Sequence, residues 1–172
     1  MRRLWSSNED WFVGLGSYHN RIVDALMESC WTGEWQRDDV LDTAIGRTIG
    51  YMAHCQLLAK QFSTETDERL VTTAKVVRHS EEVSHNTWIA LKCWETGNLN
   101  DLQATVEACV LACDELHGNL RQYLSEMYPV DRDGTISPDT LFDMRKTDEA
   151  TVECQIACEN FLEILMGAED PE

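Results

Sequence analysis

The stretch that decides the fold is residues 100–127, NDLQATVEACVLACDELHGNLRQYLSEM. Its apolar side chains recur at spacings of three and four, which is the period of an α-helix with one buried side. We call that side the helix 4 seam, and it consists of Leu102, Val106, Cys109, Cys113, Leu116, Leu120, Leu124 and Met127. A seam this long needs apolar partners along its whole length, so it predicts a long helix packed into a bundle.

The rest of the chain shows the same periodicity and is interrupted by only three prolines. Four further helices are predicted, at about residues 8–30, 38–62, 65–96 and 138–167. Most of the links between them are short, which favours antiparallel neighbours. With 172 residues, 43% of them hydrophobic, the chain can bury one core. We therefore expect an all-α protein, an antiparallel up-down bundle of four to five long helices forming one domain over residues 1–172.

The ends of these helices carry recognisable capping residues. Asp38 or Asp39 is expected to cap helix 2, and Thr64 is expected to cap helix 3, because their side-chain oxygens can accept an amide hydrogen of the first turn. Asn100 followed by Gln103 resembles a capping box for helix 4. Gly97 is expected to end helix 3.

The charge of the chain excludes several kinds of partner. There are 31 acidic and 14 basic residues, a formal net charge of −17. That balance argues against direct nucleic-acid binding and against an anionic membrane surface, since both attract Lys and Arg. No apolar run approaches the roughly 18 residues of a membrane span, and the first residues turn polar before a secretory signal develops. An odd number of cysteines, seven, is typical of reduced thiols, so a cytoplasmic location is expected.

The acidic residues are concentrated toward the last helix, where residues 129–172 hold 12 acidic and 3 basic side chains. This favours a non-catalytic interaction protein, of the adaptor, immunity or inhibitor type, that binds a basic protein partner. An acidic surface that serves only solubility has the same composition. An enzyme is not favoured, because no nucleophile has a base placed beside it. The predicted partner-binding residues are Asp139, Asp143, Asp148, Glu149, Glu153, Glu159 and Glu163.

Two cysteine pairs support an alternative function, metal binding. Cys109 with Cys113, and Cys154 with Cys158, lie at i, i+4 spacing, so both sulfurs of a pair project from one side of a helix. Thiolates in a dry core suit Cu(I) or Zn(II). The spacing resembles that of four-helix copper-storage bundles, over these two segments only, and the resemblance implies a copper cofactor. Small apolar packing accounts for the same cysteines without any metal.

A mixed ligand set is a further alternative. Glu82 and His85 have the Glu-x-x-His spacing of carboxylate-bridged di-iron bundles. Helix 2 has no glutamate, so the four-carboxylate set of a di-iron oxidase cannot be assembled. A mononuclear site formed by Glu82, His85 and His117 is the remaining possibility, and an ordinary solvated helix face explains the same residues.

Overall fold

The computed structural model describes residues 8–62, 71–127 and 134–167. Within these residues the chain is almost entirely helical, which confirms the all-α bundle. The helices are α1 (Asn8–Thr32), α2 (Asp39–Phe62), α3 (Val71–Thr96), α4 (Leu99–Met127) and α5 (Pro138–Leu165).

Capping side chains fix two of the helix starts. The Asp38 carboxylate accepts the Leu41 amide hydrogen at 2.7 Å, as predicted for α2. The predicted box at Asn100 is wrong, because α4 is capped by Asn98, whose side-chain oxygen accepts the Asp101 amide hydrogen at 3.2 Å. Gly97 ends α3 with a φ of 74°, a conformation that glycine adopts without strain. The predicted Thr64 cap lies outside the described residues.

Consecutive helices run antiparallel, and contacts between α1 and α5 close the bundle. Because the number of helices is odd, this closing pair is parallel: Gly16 lies beside Cys154, and His19, further along α1, lies beside Cys158. Helix α2 packs on α1 and α3. The inner core is therefore enclosed by α1, α3, α4 and α5, with α2 added on the outside.

The helix 4 seam is the centre of this core. Leu102, Leu116 and Leu120 are each at most 2% exposed, while the side chains of Leu124 and Met127 are not among those described. Tyr123 and Phe161 are the largest fully buried side chains around it. Among the helices described, none combines the length and the apolarity that a membrane span requires.

Candidate metal centre

Four potential metal ligands meet inside the four-helix core. They are His19 on α1, Cys109 and Cys113 on α4, and Cys158 on α5, all buried, with their ligand atoms within 4.8 Å of one another. Cys158 Sγ lies 3.5 Å from Cys109 Sγ and 3.2 Å from His19 Nε2. Ligand atoms around a tetrahedral zinc ion are about 3.6–3.8 Å apart, given Zn–S and Zn–N bonds of about 2.3 and 2.0–2.1 Å. These two separations are close to those around a tetrahedral zinc ion, and the remaining ligand atoms are at most 4.8 Å from one another.

Simple helical geometry positions each of these side chains. Cys109 and Cys113 are one turn apart on the helix 4 seam, so their sulfurs point the same way. His19 lies on the same face of α1 as Leu15, Ile22 and Leu26, all of which are buried. The parallel pairing of α1 with α5 then places His19 against Cys158.

A hydrogen bond with Thr87 on α3 fixes which nitrogen of His19 faces the sulfurs. The Thr87 hydroxyl donates its hydrogen to the Val83 carbonyl oxygen at 2.7 Å. Its oxygen, 2.6 Å from His19 Nδ1, can then only accept, so Nδ1 carries the hydrogen. The lone pair of Nε2 is left facing Cys158, which is the orientation that a metal-binding histidine needs.

The three thiols of the cluster differ in pKa. Hydrogen bonds from the Cys113 and Cys158 thiols hold the pKa of Cys109 well below its ordinary value. The same contacts and burial raise the pKa of Cys113, and the contact with Cys109 and burial raise that of Cys158. The lowered pKa favours the thiolate form of Cys109, whereas the raised pKa values of Cys113 and Cys158 mean that these two thiols release protons if a metal binds.

The space beside the cluster is small and apolar. A cavity of about 10 Å³ adjoins His19, Cys109 and Cys158, and its other walls include Val106 and Phe161. This volume is at the lower limit for a single water molecule. The cluster therefore has four potential ligands, and this cavity, formed by residues that the structure describes, is too small for a substrate.

Cys154, a ligand predicted from its pairing with Cys158, lies outside the cluster. It is buried at 3% exposure, one helical turn before Cys158. Its sulfur is adjacent to Gly16, since a Cβ built on Gly16 would lie 3.3 Å from Cys154 Sγ. Three of the four predicted cysteines therefore converge, and the fourth stops one turn short.

The structure does not bring Glu82, His85 and His117 together. Glu82 lies beside buried His79, with Oε1 3.3 Å from Nδ1. His85 faces Met52 on α2, with 3.4 Å between Nδ1 and the methionine sulfur. His117 Nε2 lies 2.7 Å from Asp148 Oδ1 on α5. Each predicted ligand of the mixed site thus points to a different neighbour.

The acidic residues predicted to bind a partner follow α5 as expected, with one clear exception. Asp148 is partly buried in its pair with His117, and the side chain of Asp143 is not described. The others are exposed: Asp139, Glu149, Glu153, Glu159 and Glu163.

His19 is the potential ligand that the sequence analysis did not predict. It occupies the position four after Leu15 and three before Ile22, so it belongs to the apolar stripe of α1. The sequence signal that could have identified it is a histidine inside an otherwise apolar stripe. No protein family, curated protein or solved structure matches this chain, so function is inferred from the geometry of the cluster.

Proposed function

We propose that this protein is a non-catalytic metal-binding helical bundle that holds one Zn(II) ion through His19, Cys109, Cys113 and Cys158. The observation that carries the proposal is the convergence of these four buried ligand atoms within 4.8 Å. A closed set of four protein ligands is typical of structural zinc sites, whereas catalytic sites keep a position open for water or substrate. The small apolar cavity beside the ligands favours the same role, in stabilising or storage rather than in catalysis.

The charge of the ligand set favours Zn(II) over Cu(I). Three thiolates and a neutral imidazole leave a net charge of −1 around Zn(II) and −2 around Cu(I). Residual charge is costly in a buried, apolar environment. Cu(I) remains the competing ion, because thiolates also suit it.

Elemental analysis of protein purified without oxygen, chelators or a metal-binding tag tests this proposal. We expect about one equivalent of zinc per chain, lost in Cys109→Ser and Cys113→Ser. Cys55→Ser is the matched control, since Cys55 is equally buried but lies on α2, outside the cluster. A chain that binds neither Zn(II) nor Cu(I) when each is offered would contradict the proposal, as would loss of metal in the control.

We also propose, as a second candidate function, that the outer face of α5 binds a basic protein partner. Glu159 and Glu163 are exposed there beside Ile156, whose side chain is 49% exposed. Carboxylates around an exposed apolar residue suit an amphipathic basic surface. A partner that supports this candidate is basic, and its complex dissociates as the salt concentration rises. Binding should be lost in the variant carrying Glu159→Gln and Glu163→Gln and kept in Cys109→Ser. Salt-independent binding, or equal binding by the glutamine variant, would contradict this candidate.

A further inference from the structure

A second pair of potential metal ligands lies at the surface of the contact between α2 and α3. Met52 on α2 and His85 on α3 meet there, with 3.4 Å between the methionine sulfur and Nδ1 of the histidine. The histidine is exposed and the methionine is half-buried, unlike the enclosed ligands of the buried cluster. An ion in solution can reach a pair at the surface without crossing a helix.

The separation of the two atoms suits a shared metal ion. With metal–nitrogen and metal–sulfur bonds of about 2.0 and 2.3 Å, ligand atoms 3.4 Å apart enclose an angle of about 105° at the ion. That angle is close to the tetrahedral value. Met52 and His85 are 33 positions apart in the chain, so the packing of two different helices brings their ligand atoms to this distance.

The charged groups around the pair favour a cation. Glu81 lies one helical turn before His85 on α3, and it accepts a hydrogen bond from Gln56 Nε2 on α2 at 3.4 Å. Its carboxylate is therefore held at the same α2–α3 contact, where it attracts a positive ion. Lys92 lies two turns beyond His85 and is paired with Glu95 at 3.8 Å.

The two ligand types select a soft ion. Thioether sulfur suits Cu(I), whereas imidazole suits both copper and zinc. We propose that Met52 and His85 form a surface binding site for Cu(I), in addition to the buried site proposed for Zn(II). The inference goes beyond the proposed zinc function and does not depend on it. It also assigns a ligand role to His85, which the sequence analysis placed in a different ligand set.

Binding at this site is a ligand exchange without any change of oxidation state. Both protein ligands are neutral, so the bound Cu(I) keeps its charge of +1, which Glu81 and solvent offset. The His85 ring carries its hydrogen on Nε2 when Nδ1 binds the ion, and the methionine has no proton to lose. Two protein ligands leave part of the ion open to solvent, so Cu(I) held here can be exchanged with other ligands.

Nuclear magnetic resonance of the full-length chain, carrying ¹³C in its methionine methyl groups, tests this site. The six methionines are assigned from single Met→Leu variants. Cu(I) is added without oxygen, at a free concentration set by the chelator bicinchoninate. We expect the Met52 methyl signal to shift with Cu(I) and to stay in place with one equivalent of Zn(II), which thioether sulfur does not suit. Cu(I) that binds the cysteines is distinguished because each signal belongs to one methionine.

Two variants and one reference signal decide the outcome. In His85→Gln the Met52 shift should need at least about tenfold more Cu(I), because one ligand is lost. His54→Gln, which removes another exposed histidine on α2, is the matched control and should leave the shift unchanged. Met166, which is 62% exposed, is the reference for an exposed methionine.

An unchanged Met52 shift in His85→Gln overturns the Cu(I) site, and so does an equal Cu(I) dependence of the Met52 and Met166 signals. A chain that shows the Met52 shift and binds no zinc overturns the function proposed above and supports the surface site.

Discussion

His19 and Thr87 determine each other's hydrogen-bonding roles across the α1–α3 contact. The histidine must donate from Nδ1, 2.6 Å from the threonine oxygen, because the only hydroxyl hydrogen of Thr87 is already bound to the Val83 carbonyl oxygen. The Val83 carbonyl oxygen on α3 thus determines, through two hydrogen bonds, which nitrogen of His19 faces the cysteines.

Removal of the threonine hydroxyl should weaken metal binding although Thr87 is not a ligand. We expect Thr87→Val to lower zinc affinity about 10- to 100-fold, as is typical when the partner of a metal-binding histidine is lost. Thr87→Ser, which keeps the acceptor, should stay within a few-fold of wild type. Competition with a chromophoric chelator measures both. Equal affinities in wild type and Thr87→Val would show that the hydrogen bond does not orient the ligand.

Zinc affinity should rise steeply with pH near neutrality. The pKa values of Cys113 and Cys158 are raised and that of Cys109 is lowered, so at least the two protons of Cys113 and Cys158 remain to be displaced by the metal. Each displaced proton gives about a tenfold gain in affinity per pH unit, so two give about 100-fold between pH 7 and pH 8. Calorimetry in buffers of different ionisation enthalpy counts the released protons. A zinc affinity that does not change with pH would contradict the release of these protons.

The reactivity of the seven thiols should follow their burial. Cys30 is half-buried while the other six are buried, so iodoacetamide at pH 8 should modify Cys30 first, although burial raises its pKa. Cys55 should resist, because burial and nearby Glu81 raise its pKa to about 12 and only the thiolate reacts. Peptide mapping by mass spectrometry gives the order. Modification of Cys55 before Cys30 would be the opposite result.

Two helical glycines should respond in opposite ways to alanine. Gly118 has open space around the position of a Cβ, so Gly118→Ala should stabilise the fold by roughly 0.5–1 kcal/mol through helix propensity. At Gly16 the same Cβ meets a backbone oxygen at 3.2 Å, so that gain should be cancelled or reversed. Urea unfolding compares the two free energies of unfolding. A gain in Gly16→Ala as large as in Gly118→Ala would mean that α1 and α5 separate easily.

The fold could be predicted because the sequence patterns that specify each helix lie within that helix and its ends. Apolar spacing and turn residues located all five helices, and the Asp38 cap was correct because such a cap is a contact within one helical turn. The Asn100 cap failed because Asn98, two residues earlier, begins the same helix with a better-placed side chain. An error of two residues in the capping position of a helix leaves the architecture unchanged.

The candidate site could be predicted only in part, because it depends on how the helices are rotated against each other. Cys109 and Cys113 were found together since one helix holds both. The sequence did not predict that α1 would lie beside α5, and so His19 was not connected with Cys158, 139 positions away. Glu82 and His85 share a helix but diverge in the bundle, one lying against His79 on the same helix and the other against Met52 on α2.

That separation of 139 positions has a consequence for how the protein is made. Residues from the first and the last described helix are both needed for the cluster, so a nascent chain still waiting for α5 on the ribosome has no complete site. Until α5 is made, helices α1 to α4 can gain no stability from an ion bound at the complete site. If the proposed zinc ion binds, a polypeptide truncated before Cys158 would lack one of its four ligands and should not retain the metal.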